Sequence, residues 1–364
     1  MGMGVDATGQ PREEMRVAVV GATGNVGSAL LRALEHDERV RSVVGIARRR
    51  PAQELPKVEW RTADIATDDL EPAFADCDAV VHLAWLIQPS RDEAVLHAVN
   101  VEGSRRVFDA AARAGAGSIV YASSVGAYSR GPKDRAVDES WPTGGTPTSF
   151  YARHKAEVER VLDAFEAVHP HVRVVRLRPG LIFQRDAASE IRRYFVGPLL
   201  PGALVRRSLV PVVPRIPRLR FQAVHTDDVA DAYRRVIAER DVRGAFNIAA
   251  DPVLDAARIA ELLGARTVPM PAAVLRTLAD LTWRARLQPT PPGWLDMALN
   301  VPIMDTTRAR TELGWEPKHT AIDALRELLD GLRDGAGAHL PPLDPEAGGR
   351  FRREEFTSGV GARN

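Results

Sequence analysis

The segment PTSFYARHKAEVE, residues 147–159, sets Tyr151 four residues ahead of Lys155. On a helix that spacing puts a phenol and an ammonium on one face. A phenol of ordinary pKa near 10 is a weak acid–base group at neutral pH, and a cation close by favours its phenolate. Lowering that pKa by about three units takes roughly 4 kcal/mol of differential stabilisation, within reach of a close cation in a partly dry site. The pair is a candidate proton-transfer device; the alternative is two residues that happen to stand four apart. Lysine is scarce, since only Lys57, Lys133, Lys155 and Lys318 stand among the 49 basic residues. An accidental match is therefore uncommon, and the surrounding elements must decide.

A second chemical feature lies near the N-terminus. VAVVGATGNVGSALLRAL places Gly21, Gly24 and Gly27 directly after a strand pattern and at the opening of an amphipathic helix, the context of a dinucleotide-binding turn. Gly21 permits the tight turn, Gly24 lets the backbone approach a pyrophosphate, and Gly27 allows helix and strand to pack closely. Thr23, Asn25 and Val26 complete the loop around the same phosphates. An NAD site usually sets Asp or Glu about 20 residues on, to accept the ribose hydroxyls. Here VVGIARRRP puts Ala47 at that place and Arg48, Arg49 and Arg50 after it. A carboxylate there would repel a 2′-phosphate, whereas the Arg48 guanidinium can hold one through charge-assisted bonds. NADP(H) is favoured and NAD(H) remains possible. Asp64 and Ile65 in RTADIA are expected beside the adenine, with a surface-turn aspartate as the alternative for Asp64. Leu83 and Ala84 in HLAW are expected near the cofactor, and His82 as a packing residue.

The elements that must position these groups follow from the pattern. MRVAVV, RSVVGIA, VEWRTA, DAVVHLAW, SIVYASS and VRVVRLRPG read as short strands alternating with helices near Val26, Leu70, HAVNVEGSRRVFDAAARAG and Phe150. Such alternation implies parallel βαβ units, an α/β fold with a Rossmann-type doubly wound sheet. A smaller, mainly helical C-terminal substrate domain follows. The chain divides into a disordered lead-in (1–14), a dinucleotide-binding domain (15–180), a substrate-side insertion (181–220), a return to the sheet (221–250), the C-terminal substrate domain (251–334) and a flexible tail (335–364).

Bulk composition excludes other classes. The 364 residues are 45% hydrophobic with a formal net charge of +1, so a packed core is expected and nucleic acid is not a partner. Cys77 is the only cysteine, so neither an intrachain disulfide nor a cysteine zinc site can form, no metal is expected, and a reducing cytoplasmic setting fits. The apolar stretch 194–214 is cut by four prolines and by Arg206 and Arg207, which argues against a membrane span.

Taken in order, GATGNVG, ADIA, HLAW, VNVEGS, YASSVGAY, YARHK, RLRPGLIF, VHTDDVADA, GAFNIAA and TTRARTELGWEP resemble the extended short-chain dehydrogenase/reductases, the group that includes NAD-dependent epimerase/dehydratase proteins. The resemblance runs from about Arg16 to Asp330. It implies a catalytic group of Ser124, Tyr151 and Lys155 with Asn100 in support, Ser123 being the rival to Ser124. It further implies that Lys155 holds the nicotinamide ribose, that an oxidised nicotinamide ring helps the phenolate, and that Pro179 and Gly180 turn the chain beneath that ring. A homodimer through the helices near Val99–Ala114 and Tyr151–Val168 is the family expectation.

The implied function is NAD(P)-dependent oxidoreduction of a small-molecule substrate, with hydride passing between nicotinamide and a carbonyl or hydroxyl carbon. The alternatives are a nucleotide-sugar epimerase with tightly bound NAD and a non-catalytic NADP(H)-sensing regulator. Dehydration is disfavoured, because Val125 and Gly126 stand where dehydratases carry an acidic pair. The segment from Arg192 to Arg220, with seven arginines, is either a diphosphate clamp or a lid over an apolar or small carbonyl substrate.

Overall fold

Seven short runs of valine, isoleucine and alanine form strands β1 (Met15–Val20), β2 (Val40–Ala47), β3 (Val58–Thr62), β4 (Ala79–His82), β5 (Ser118–Ala122), β6 (Arg173–Pro179) and β7 (Gly244–Ile248). In this computed structural model, which describes residues 14–52, 54–87, 91–192, 211–338, 340 and 343, they make one parallel sheet in the order β3, β2, β1, β4, β5, β6, β7. The connecting helices include α1 (Asn25–Glu35), α2 (Gly103–Arg113), α3 (Phe150–Val168) and α4 (Thr226–Ala238).

The period-two alternation of a strand explains how both faces are filled. In β1, Val17 and Val19 point into a core with Leu30 and Leu34 of α1 and Val229 and Tyr233 of α4. Ala18 and Val20 point the other way, toward Val107 and Phe108 of α2 and Val158 and Leu162 of α3. The strand order reverses at β1, and the carboxyl ends of β1 and β4 border the crevice where doubly wound sheets bind ligands.

The stretch 221–250, expected to return to the main sheet, does so only through β7. Phe221–His225 joins a separate three-stranded sheet with Leu181–Phe183 and Ala250–Leu254, covered by the helix Ala321–Asp334. The two strands approach so closely that a Cβ on Gly180 would lie 2.6 Å from the Gln222 carbonyl oxygen. Beyond Asp255 the chain is mainly helical, as expected. Residues 1–13, 193–210 and most of 339–364 lie outside the described residues, and with them the lead-in, most of the apolar stretch and most of the tail. No helix among the described residues is long and apolar enough to cross a membrane.

The long helix expected around VNVEGS is real but interrupted. Between Glu93–His97 and α2 it widens into a π-helical turn, Ala98–Glu102. That turn directs the fully buried Asn100 at the loop after β4: its Oδ1 accepts from Leu86 N at 2.7 Å and its Nδ2 donates to Leu86 O at 3.0 Å. Ser104 Oγ donates to Asn100 O at 2.6 Å and so accepts from His82 Nε2 at 2.9 Å, which leaves Nδ1 as the unprotonated nitrogen. His82 is a packing residue, as read from the sequence. Burial, helped by the charge of Lys155, lowers its pKa to about 3.

An imidazole that is neutral in the fold but protonates near 6.5 once unfolded stabilises the protein above pH 6.5 and loses that contribution as pH falls from 6.5 toward 3. The melting temperature is therefore expected to drop through this window, and His82→Leu to flatten the drop. Identical acid profiles for the variant and the parent in calorimetry would exclude His82 as the cause.

Candidate active site

The glycine loop is a tight strand-to-helix turn that only glycines fit. Gly21 has φ +87°, and a Cβ on it would lie 2.7 Å from Ala84 N, so the turn after β1 presses on the end of β4. A Cβ on Gly27 would sit 2.3 Å from Gly21 O. Gly24 caps α1 in an extended conformation without a side-chain hydrogen bond, and the first turn of the helix carries no acid. The positive end of α1 thus carries no neutralising side chain, an arrangement that favours an anion. Thr23 is buried at the turn and Val26 packs on the core. The Asn25 side chain, expected at the cofactor, is turned away: its Oδ1 accepts from Gln184 Nε2 at 2.6 Å and Thr226 Oγ1 at 3.2 Å, leaving its backbone to the loop. Ala47 ends β2 in a buried position, with Arg48, Arg49 and Arg50 exposed after it. Arg50 pairs with Glu54 at 2.7 Å.

Farther along the same edge, Asp64 Oδ1 accepts from Ala66 N at 2.9 Å, while Ile65 is a core residue whose carbonyl accepts from Arg106. Leu83 N donates to Val20 O at 2.8 Å, and Ala84 lies against Gly21. Gly180 donates its N–H to Ile248 O at 2.9 Å, just beyond Pro179 at the end of β6.

Ser124, Tyr151 and Lys155 are brought together where β5 meets α3. Ser124 Oγ accepts from Gly126 N at 3.0 Å, and its hydroxyl lies near enough to the Tyr151 phenol to favour the phenolate. Ser123, the rival, is committed elsewhere, donating to Glu159 Oε1. Burial pushes the Tyr151 phenol up to about 12, and the Ser124 hydroxyl offsets this only in part. The lowering expected from Lys155 is not seen, because the Lys155 ammonium does not reach the phenol oxygen. It donates to Ala122 O at 2.6 Å and Tyr121 Oη at 3.4 Å, and lies 3.4 Å from the centre of the Trp85 ring but 5.8 Å from that of Tyr151. Asn100 contacts Leu86 rather than these groups, so it positions the loop that carries Trp85.

The group that holds this arrangement was not singled out in the sequence. Glu159, one turn beyond Lys155 and 1% exposed, accepts from Arg178 Nε and Nη2, each at 2.9 Å, from Arg176 Nη1 at 3.1 Å and from Ser123. Burial alone would raise its pKa; Arg178, Arg176 and Ser123 reverse the effect and keep it below the usual range. Burial drives the Lys155 ammonium well below its ordinary pKa, and the Glu159 charge pulls it back up. The spacing of Lys155 and Glu159, the same four residues as Tyr151 and Lys155, was the available signal.

The far wall comes from the helix Gly293–Asn300, which no motif announced. Its Trp294 ring lies 5.0 Å from that of Tyr151, and Met297 and Val125 pack beside it. A Cβ on Gly126 would fall 2.9 Å from the Tyr151 ring and 3.0 Å from Met297 Sδ, so an acidic side chain has no room there. Of the seven arginines in 192–220, Arg218 donates to Leu299 O and Gly131 O, and Arg220 to Lys133 O. Lys133 answers with bonds to Arg220 O and Ala298 O; burial and those two arginines lower its pKa to about 7.

Residues 17–249 match the profile of the NAD dependent epimerase/dehydratase family. The chain belongs to that family. Among its relatives, uncharacterised proteins of Mycobacterium tuberculosis and Mycobacterium bovis are 27% identical over 325 residues, 89% of this chain and 31% of theirs, so the chain spans less than a third of their length. A short-chain dehydrogenase/reductase superfamily structure from Agrobacterium tumefaciens with bound NAD has 24% identity and a TM-score of 0.65, covering 88% of this chain and 97% of that one. The UDP-glucose 4-epimerase of Thermus thermophilus in complex with NAD has 21% identity and a TM-score of 0.64, covering 88% and 99%. At these identities the solved structures establish the shared fold.

Two outcomes follow for this member of the epimerase/dehydratase family. Glu159→Gln leaves the buried Arg178 guanidinium without its anion, while Arg176 keeps Asp163 and Glu166, and is expected to cost about 3–5 kcal/mol in urea unfolding; a loss below about 1 kcal/mol would show that solvent screens the network. Ultraviolet titration of the protein minus its Tyr151→Phe variant is expected to show no phenolate below pH 10. A lower transition would mean that Lys155 reaches the phenol in solution.

Proposed function

We propose that the protein is an NAD(P)-dependent oxidoreductase of the extended short-chain dehydrogenase/reductase type, with Tyr151 as its acid–base residue. The observation that carries this reading is the Tyr151 phenol beside the Ser124 hydroxyl, with Lys155 one turn away, at the same sheet edge as the glycine loop. The loop and the uncapped start of α1 would hold the pyrophosphate of a dinucleotide, whose nicotinamide would supply or accept the hydride. Ser124 orients the substrate oxygen by hydrogen bonding. Tyr151, protonated in the fold, donates its proton to that oxygen in the reductive direction and takes it back in the oxidative one. Lys155 would hold the nicotinamide ribose, and Asn100, through Leu86, fixes the loop that carries Trp85.

The absence of a carboxylate at Ala47 and the presence of Arg48 favour NADP(H) over NAD(H). Self-association through the helices Val99–Ala114 and Tyr151–Val168 belongs to the same proposal. The epimerase alternative uses the same groups but retains its cofactor through each turnover. The sensing alternative needs neither Tyr151 nor Lys155.

Titration calorimetry tests the reading. NADPH is expected to bind at least about tenfold more tightly than NADH, a difference of about 1.4 kcal/mol, and Arg48→Ala to abolish the preference. NAD retained in the protein as purified would replace the reductase with the epimerase. A Tyr151→Phe protein that binds NADPH normally but turns nothing over is expected; full biological activity in that variant would favour the sensor.

A further inference from the structure

Lys155 carries its charge in a place that opposes it. The residue is 3% exposed, and burial drives its ammonium toward the neutral form. Two of its three donors go to Ala122 O at 2.6 Å and Tyr121 Oη at 3.4 Å. No carboxylate is paired with it among the described residues: Glu159, which acts on it through space, spends its oxygens on Arg178, Arg176 and Ser123. The other ionisable groups around it are His82 of β4, Tyr121 of β5 and Tyr151 of α3, and burial keeps all three neutral at pH 7.

What meets the ammonium instead is an indole face. Lys155 Nζ lies 3.4 Å from the ring centre of Trp85, against 5.0 Å from that of Tyr121 and 5.8 Å from that of Tyr151. A π face attracts a cation, most strongly when the face is indole and the site is dry. The ring is fixed on two sides. Its neighbour Leu86 is gripped at both N–H and carbonyl by Asn100, and the Tyr151 ring stands 6.0 Å away with planes at 75°. The indole N–H has no hydrogen-bond partner among the described residues, so the side chain works through its face. Because indole has no net charge, a cation resting on it keeps its field, which a carboxylate partner would cancel.

We propose that Trp85 is a positioning residue for Lys155, its indole face holding the ammonium charged and in place at a sheet edge where no anion is paired with it. This rests on the oxidoreductase reading, which gives Lys155 the nicotinamide ribose to hold. The role differs from packing, because leucine fills the space without a π face and phenylalanine keeps the face in a smaller ring. The sign of the effect follows from the charge. The face favours the ammonium over the amine, so its removal lowers the pH at which Lys155 loses its proton.

Protein labelled with [ε-13C]lysine tests this by NMR, since the chain has four lysines and replacing each in turn by arginine assigns the signals. The Lys155 signal is expected upfield of the other three, displaced by the ring current of the indole. In Trp85→Leu it is expected to return to the ordinary position, and its titration midpoint to fall by about one pH unit or more, tenfold in the protonation equilibrium. Trp85→Phe is expected to show a smaller fall, and it carries the test if Trp85→Leu does not fold. Unmoved Lys57 and Lys318 signals show that a variant is intact. A midpoint that shifts by less than about 0.3 unit, a twofold change, or a parent Lys155 signal lying among the other three, overturns the role of Trp85. Calorimetry with NADPH on the same samples separates the two ideas. NADPH binding to the parent with an unmoved midpoint in Trp85→Leu overturns the role of Trp85 and leaves the oxidoreductase reading standing. The expected midpoint shift in a protein that binds neither NADPH nor NADH supports the hold of Trp85 on Lys155 and overturns that reading.

Discussion

The buried carboxylate of Glu159 is the constraint on which the site depends. It rises from the helix that carries Tyr151 and Lys155, and its four donors come from the end of β5 and from β6. A charge this deep survives only when it is fully paired, so the helix cannot slide along the sheet without leaving two guanidinium groups unsatisfied. Arg178 extends the bracing through Tyr128 to Asn247 of β7, at 3.0 and 2.6 Å. The placing of the phenol beside the Ser124 hydroxyl is thereby braced by electrostatics two turns of helix away from Tyr151.

The two ionisable groups of the pair are pulled toward their neutral forms by the same cause. Desolvation lifts the phenol and depresses the ammonium. Glu159 works against this for Lys155 and leaves Tyr151 alone, so the two are tuned by different neighbours although they share one helix face. In its protonated state the tyrosine is an acid ready to give its proton, and a positive charge arriving at the ring side would be needed to make it a base.

Much of this was legible in the amino-acid order. Period-two runs announced the strands, and the glycine triplet announced the turn after β1, because only glycine fits where a Cβ would meet Ala84 and Gly21. Tyr151, Lys155 and Ser124 were legible as local motifs. What stayed hidden depends on contacts between distant segments: Trp294 stands 143 residues from Tyr151, and no local pattern says that its helix will lie over the phenol. The side-chain partners of Asn25, Gln184 and Thr226, likewise come from far along the chain. The lowered phenol pKa was expected from Lys155 and an oxidised nicotinamide ring together; Lys155 turns toward Ala122, and burial raises the phenol.

The π-helical turn at Ala98–Glu102 has a consequence for how the sequence can vary. Such a turn holds one residue more than the α-helical turn it replaces. Deleting any residue within it would restore a regular helical turn and remove the bulge that carries Asn100. Asn100 would then swing off Leu86, and His82 and Ser104 would lose their alignment together. Length changes should therefore be purged from this short stretch even where substitutions are accepted, so that its residue count, more than its side chains, records the lineage of the site.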